Sequence, residues 1–523
     1  MDARAALADK EAMQKPLAAR DPLPIDAALP ELLDALRSRR RAVLEAPPGA
    51  GKTTRVPLAM LEAGVAPGRI VMLEPRRLAA RAAAERMAET LGERAGETVG
   101  YRMRGATKVS AGTRIEVVTE GVLTRMIQSD PELRGVGAVI FDEFHERSLN
   151  ADLGLALCLE IAGALREDLV LLAMSATLDA APVAELMGAP AIRSEGRSFP
   201  VETRWLDAPV PKGRRLEEAT ADLVARAVAE TEGGVLVFLP GEGEIRRSEA
   251  ALRGRLPADC VLRPLFGAMP FSAQRAAIRP ETGGRKIVLA TSIAETSLTI
   301  EDIRVVVDAG RARRARFDPG SGMSRLVTER VTRAEATQRA GRAGRVAPGV
   351  AYRLWTKGEE GALAAQPPAE IEAADLAGLA LELKLWGAEP AALPFLTPPP
   401  EAAYAEALAL LGLLGALDAR GAITEHGRRL AALPLHPRLG HMLAVAGPRA
   451  ATLAALLAER DPLPRAAPVD LALRLEAIAD YLNGLGCGEQ VRVHILNTRD
   501  KPRLGKAVSI PIDLGSRASE WTV

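Results

Sequence analysis

RAVLEAPPGAGKTT, residues 41–54, decides how the rest of the chain reads. Its short apolar run, Ala42–Leu44, has the pattern of a buried parallel strand. Prolines 47 and 48 end that run, and small residues then lead into Gly51-Lys52-Thr53-Thr54. Small residues let successive backbone N–H groups turn inward around an anion. Pro48, Gly49, Ala50, Gly51, Lys52, Thr53 and Thr54 are therefore candidate nucleotide-phosphate ligands. Lys52 would reach the terminal phosphates, and the Thr53 hydroxyl would hold Mg²⁺. The helix expected to begin here turns its positive end to the same phosphates. Ala46 stands where the usual G-x-x-x-x-G-K-[ST] spacing has its first glycine.

Outward from this stretch, apolar strands alternate with helical segments to about residue 205. Arg69–Leu73, Arg114–Val118, Gly137–Phe141 and Leu169–Met174 read as strands. A helix is expected over 30–40 and another over 78–91. This alternation predicts a parallel, doubly wound sheet, in which ligands bind beyond the carboxyl ends of the strands. Polar clusters follow those ends: Glu74-Pro75-Arg76-Arg77, Thr119-Glu120-Gly121, Asp142-Glu143-Phe144-His145 and Ser175-Ala176-Thr177.

The pattern repeats over about 206–357. The expected strands are 234–239, 286–290 and 304–308, and a hairpin flanks the turn-rich residues 318–322. After Trp355 the chain changes to Ala- and Leu-rich helices. Residues 402–417 read as a helix, and 418–429 as the hairpin end of a small winged-helix module. The expected divisions are a lead-in (1–22), two α/β units (23–205 and 206–357), a winged helix (358–430), a partial helical bundle (431–479) and an unassigned tail (480–523).

Bulk composition narrows the class. At 523 residues and 48% hydrophobic, the chain can bury several cores. The net charge of +1 means that any nucleic-acid affinity must come from local charge. That charge is concentrated: residues 304–345 hold eleven Arg and four acids, net +7. They are the expected electrostatic footprint, with Arg76, Arg77, Arg102 and Arg104 as a second patch. The three scattered cysteines suit neither a metal site nor a disulfide framework and fit a reducing cytoplasm. No uncharged apolar run is long enough to span a membrane.

Two clusters carry the expected chemistry. Asp142 would bind the Mg²⁺ held by Thr53, and Glu143 would take a proton from an attacking water. In isolation such an acidic turn is as often a solvated strand exit, but a phosphate loop in the same α/β unit changes the balance. In QRAGRAGR (338–345), Arg342 and Arg345 lie one helical turn apart. Both can stabilise charge on a γ-phosphate, while Gln338 orients the lytic water. Because they lie in the second unit, the site would be complete only when the two units close. Thr119, Thr291 and Ser292 are small donors suited to phosphate and 2′-OH contacts.

In order, APPGAGKTT, EPRRLAA, TEGVLTRM, DEFHERSLNADLGL, SAT, FLPG, LATSIAETSLTI and QRAGRAGR resemble the motifs of the DEAH/RHA group of superfamily 2 RNA helicases. The DEFH variant is similar to the bacterial HrpB-type branch. The resemblance runs over about residues 20–476. It implies two RecA-like domains, a winged helix and a partial helical bundle, with ATP and Mg²⁺ bound between the domains. It also implies that Arg86 stacks on the adenine, opposite Ile278, and that Ser297 and Glu301 contact the nucleotide. His145, Ser175 and Thr177 would couple hydrolysis to movement. Arg76, Arg77, Thr119, Gly121, Thr291 and Ser292 would contact RNA. The hairpin near 318–322 would sit at the point of strand separation. The ending is unlike the family and reads as a truncated or divergent C-terminus.

The expectation is a monomeric, cytoplasmic ATP-dependent RNA helicase acting on single-stranded RNA or a duplex with an overhang. The alternatives are a translocase that moves without separating strands and a binding protein that no longer cycles.

Overall fold

The structure is a computed structural model. It describes residues 22–458 except 177–179, 196–198, 282, 296–299, 301 and 319–322, together with 494–495 and 508–509. The expected lead-in and most of the expected tail lie outside the described residues, as does the tip of the hairpin.

The first sheet contains β1 (Arg41–Glu45), β2 (Arg69–Leu73), β3 (Val99–Met103), β4 (Ala106–Lys108), β5 (Ile115–Val118), β6 (Val136–Phe141), β7 (Val170–Ser175) and β8 (Ala191–Arg193). Their spatial order is β4-β3-β5-β2-β6-β7-β1-β8. Every pairing is parallel except β3 with β4. The central strands are apolar at nearly every position because helices cover both faces; all six residues of β6 are buried.

The second sheet contains β9 (Val201–Leu206), β10 (Gly234–Phe238), β11 (Cys260–Leu265), β12 (Arg285–Ala290), β13 (Ile303–Asp308) and β16 (Gly349–Thr356). The order is β11-β12-β10-β13-β16-β9, with all pairings parallel. The expected division at 205/206 runs through β9, which pairs with β16 in the second sheet. The antiparallel hairpin β14 (Arg311–Asp318) and β15 (Met323–Arg330) extends past the expected strands 314–317 and 324–327, with Arg311 opposite Arg330.

Both sheets, here called the first and second lobes, lie in one compact unit that reaches Ala374 and also takes in Ala391–Pro398. A second unit takes Asp375–Pro390 and the chain from Pro399. Its helices include Ala377–Trp386, Glu401–Leu413, Glu425–Ala432 and Pro437–Ala446. The expected hairpin end at 418–429 is shorter. Leu417 and Ile423 form an antiparallel bridge around the turn. Helix starts at Glu425 because the Thr424 hydroxyl accepts from the Gly427 N–H at 3.0 Å. Within this unit His426 and His441 meet ring to ring, Nε2 to Nδ1, at 2.9 Å. Among the described residues, no helix is long and apolar enough to cross a membrane.

One glycine fixes how closely the first sheet packs on its own connection. A Cβ at Gly137, in β6, would stand 1.7 Å from the Pro67 carbonyl oxygen. The obstacle is backbone, so it cannot rotate away. Gly137→Ala is expected to destabilise the chain by roughly 1–3 kcal/mol, read as a lower urea midpoint. A midpoint equal to that of the unsubstituted chain would contradict this packing.

Candidate active site

The phosphate loop joins β1 to helix α1 (Lys52–Glu62). Gly51 caps α1 in the left-handed region at φ 96°, and a Cβ there would lie 2.7 Å from Leu23 Cδ1. The positive φ strains any side chain there, and the end of the Leu23 side chain would also have to shift. Ala46, by contrast, is not among the residues with positive φ, and it is fully buried beneath the loop. Its N–H donates to the Ser175 carbonyl at 3.0 Å. A glycine is therefore not required at that position, which explains the altered spacing motif. The loop is also braced from upstream. Ile25 N–H donates to the Ala50 carbonyl at 3.1 Å, and Arg55 donates twice to Asp26, at 2.7 and 2.8 Å. The sequence alone marked neither brace.

At the end of β6 the acidic turn faces this loop. Thr53 Oγ1 donates to Asp142 Oδ2 at 2.6 Å. Lys52 Nζ donates to Glu143 Oε1 at 3.1 Å, with both side chains nearly inaccessible. Glu143 adopts a left-handed backbone at φ 51°, ψ 35°, a conformation that costs about 1–3 kcal/mol for a non-glycine residue. Its own N–H is held by Asp142 Oδ1 at 2.9 Å. Burial pushes Glu143 up, but Lys52 first and then His145 overcome this and hold its carboxyl below the usual range. Burial dominates at Asp142 and raises it. Burial alone would lower Lys52, yet the charges of Glu143 and Asp142 leave it raised.

His145 bridges the two lobes. Its Nδ1 accepts from the Ala176 N–H at 3.3 Å and lies 3.4 Å from Glu143 Oε2. Its Nε2 lies 3.0 Å from the amide nitrogen of Gln338. Gln338, expected to orient water, is thus brought to His145 on helix α2 (Arg333–Ala340) of the second lobe. Arg342 and Arg345 follow α2. Arg342 Nε donates to the Glu295 carbonyl at 2.8 Å. Burial and then the neighbouring Arg345 lower Arg342, against the pull of Glu143. Burial likewise lowers Arg345 to about 10, again opposed by Glu143. Lys52, Thr53, Asp142, Glu143, His145, Gln338, Arg342 and Arg345 therefore form one cluster drawn from both lobes.

Other expected residues fall differently. Arg86 is exposed on the helix Arg77–Thr90, 3.8 Å from Glu89. Arg77 and Gly121 are exposed, and Thr119, Thr291 and Ser292 are half-buried. Arg76 Nη1 donates to the Ser292 carbonyl at 2.6 Å instead of projecting outward. Ser297, Glu301 and Thr177 lie outside the described residues. The basic stretch 304–345 is also less free than its composition suggests. Arg313 meets Glu244 at 3.2 Å, Arg316 meets Glu329 at 2.7 Å and Arg330 meets Glu359 at 3.2 Å. Arg314 meets Glu329 at 2.9 Å, and Arg339 is buried against Asp308 at 2.8 Å. Much of the expected footprint is consumed inside the lobe, partly by its own Asp308 and Glu329 and partly by Glu244 and Glu359 from other segments.

Glu120 was not singled out by sequence. It lies beside the acidic turn's exit, where it accepts from the Ser148 hydroxyl. Burial, with Glu370 and Glu146 adding to it, pushes its carboxyl up to about 7. A raised folded value favours the protonated form. The stabilising contribution is therefore full below the usual carboxylate range and lost as pH rises toward 7. Glu120→Gln should match the unsubstituted chain below about pH 4 and exceed it by roughly 1–3 kcal/mol near about pH 8. A stability difference that does not change with pH would contradict this.

Comparison with known proteins agrees with the geometry. Residues 26–186 match the DEAD/DEAH box helicase family, 218–347 the helicase conserved C-terminal domain, and 407–435 the helicase-associated winged-helix domain. Residues 464–522 match a domain of unknown function. The chain is 51% identical over 456 residues to the ATP-dependent RNA helicase HrpB of Escherichia coli, covering 86% of this chain and 56% of that protein. It is 34% identical over 444 residues to the ATP-dependent RNA helicase HrpA homolog of Haemophilus influenzae, covering 83% of this chain and 34% of that protein. The crystal structure of the Escherichia coli DEAH/RHA helicase HrpB superposes with a TM-score of 0.81 at 48% identity, over 89% of this chain and 61% of that one. A second crystal structure, of the E. coli DExH-box NTPase HrpB, gives 0.78 at 47% identity, over 91% and 62%. Two RecA-like lobes, a winged-helix region and eight motifs in register lead to one assignment: the chain belongs to the DEAD/DEAH box helicases, as an HrpB-like member of the DEAH/RHA type.

Proposed function

We propose that this chain hydrolyses Mg-ATP between its two RecA-like lobes and uses the cycle to move along single-stranded RNA and open duplexes. The observation that carries this reading is the meeting of the lobes at one point: Gln338 lies 3.0 Å from His145, and His145 lies 3.4 Å from Glu143.

The residues fit the nucleotide. Left-handed glycines, a helix N-terminus and a buried lysine form an anion cradle. Thr53 and Asp142, already 2.6 Å apart, suit an oxygen-ligated Mg²⁺, which when bound neutralises charge on the phosphates. Lys52 holds Glu143 depressed, and a depressed carboxylate is a poor base. Drawing Lys52 toward a phosphate oxygen removes that hold, so substrate entry itself activates Glu143. Arg342 and Arg345 then stabilise charge that develops on the transferred phosphoryl group, and His145 and Ser175 relay the change to the first sheet. We assign the adenine to Arg86 and Ile278, the nucleotide also to Ser297 and Glu301, and coupling also to Thr177. RNA contacts fall to Arg77, Thr119, Gly121, Thr291 and Ser292. Backbone contacts of this kind give little sequence preference. We place the protein in the cytoplasm as a monomer.

The test is ATP hydrolysis with and without single-stranded RNA. Stimulation by RNA supports the reading, and hydrolysis indifferent to RNA contradicts the coupling. Unwinding of an RNA duplex with an overhang separates a helicase from a translocase.

A further inference from the structure

Arg76 lies in the exit loop of β2, in a stretch whose arginines the sequence reads as RNA ligands. Its guanidinium is already occupied at both ends. Nη1 donates to the Ser292 carbonyl of the second lobe at 2.6 Å, and Nη2 lies 3.0 Å from Glu146 Oε1 of the first. Only about a fifth of the side chain remains accessible.

The two turns that Arg76 joins are the ones that carry the chemistry. Glu146 closes the 3₁₀ turn Phe144–Glu146, whose preceding residue is Glu143. Ser292 opens the 3₁₀ turn Ser292–Ala294, which is followed at once by Glu295. Glu295 in turn orients the arginines of the second lobe: its carbonyl accepts from Arg342 Nε at 2.8 Å, and its carboxylate accepts from Arg339 Nε at 2.6 Å. A rigid, planar fork with several donors suits such a strut, because it can satisfy two acceptors in fixed relative positions. Burial pulls Arg76 down, yet Glu146, Glu295, Glu74 and Glu143 keep it raised, so its charge is answered by the protein itself.

We propose that Arg76 is a positioning residue, an interlobe strut that sets Arg342 against Glu143, and that it is not an RNA phosphate ligand. This rests on the hydrolytic reading above. The mechanical consequence is that the lobes close in one register. Closure without the strut leaves the arginines displaced from the carboxylate turn, and turnover falls while RNA affinity stays.

The test compares Arg76→Ala, Arg76→Lys, Glu146→Gln and the double variant Arg76→Ala/Glu146→Gln in the full chain. RNA-saturated ATP turnover should fall about tenfold or more in Arg76→Ala and several-fold in Glu146→Gln, with the double variant no worse than the poorer single one. Arg76→Lys should restore little, since one ammonium cannot span both acceptors. Affinity for a fluorescein-labelled oligouridylate should stay within about twofold, with an unchanged salt slope. The proposal is overturned if RNA affinity falls about tenfold, the salt slope drops by about one, and lysine restores both. Additive effects of the two single substitutions overturn it as well.

A second readout does not depend on turnover. Fluorophores on Leu165→Cys and Arg253→Cys, in a chain with Cys260 and Cys487 replaced by serine, report lobe closure with a non-hydrolysable ATP analogue. Arg76→Ala should weaken the closure signal, and an unchanged signal refutes the strut. Absence of hydrolysis in the unsubstituted chain would instead refute the function proposed above, and the closure measurement would still decide the role of Arg76.

Discussion

Glu143→Gln should lower ATP turnover by about 10²–10⁴-fold while nucleotide binding persists. The substitution keeps the size of the side chain and removes the only feature that the proposed step needs, a carboxylate able to take a proton. The surroundings permit this. Glu143 is buried beside Lys52 at 3.1 Å, and its left-handed backbone is secured by Asp142, so the turn keeps its shape without the charge. Lys52 still has the Asp142 carboxylate nearby as a counter-charge. Phosphate release measures the turnover, and a fluorescent ATP analogue measures the binding. Turnover within about threefold of the unsubstituted chain would remove Glu143 from the chemistry.

The largest stability effect belongs to Arg339, which sits inside QRAGRAGR but does not face the reaction. It is fully buried, with Nε on Glu295 at 2.6 Å and Nη1 on Asp308 at 2.8 Å. Its guanidinium also stacks 5.0 Å over the Phe238 ring. Asp308 has a second partner in Arg353 at 3.2 Å. Removing Arg339 leaves two buried carboxylates sharing what remains, and breaking a buried pair from one side costs about 3–5 kcal/mol. Arg339→Met, similar in length but uncharged, should therefore unfold the second lobe at clearly lower urea. A shift of under about 1 kcal/mol would show the network to be dispensable. Any loss of ATPase in this variant is expected to follow from the lost fold.

The parts of the fold legible in the sequence were those that local pattern determines. β2 appears over the residues expected because its last four residues, Ile70–Leu73, are apolar and buried, as in a strand covered on both faces. The edge strands were not legible. β9, VETRWL, is polar and half-exposed, and β11, CVLRPL, carries a proline that only an edge strand tolerates. Neither presents a continuous apolar run.

The site divides along the same line. Lys52, Thr53, Asp142 and Glu143, which the structure brings into contact, stand in short consecutive motifs that can be read locally. Partners distant in sequence were not. Arg76 reads in sequence as a phosphate ligand, and no local pattern shows that its guanidinium also reaches the carbonyl of Ser292, 216 positions away. The net charge of residues 304–345 looked free because three acids that pair with it, Glu244, Glu295 and Glu359, lie outside that window. Nor does any local pattern reveal that Asp26 braces Arg55, or that burial makes Glu120 titrate near neutrality.

The most direct test of the two-lobe site is to remove an arginine that the second lobe lends to the first. Burial lowers the Arg345 guanidinium and the charge of Glu143 opposes it, so this second-lobe arginine acts electrostatically on the carboxylate turn of the first. Steady-state ATP hydrolysis by Arg345→Ala, measured beside its ATP affinity, should show turnover reduced about 10³-fold or more with affinity changed no more than a few-fold. Turnover equal to that of the unsubstituted chain would mean that the lobes do not share a reaction.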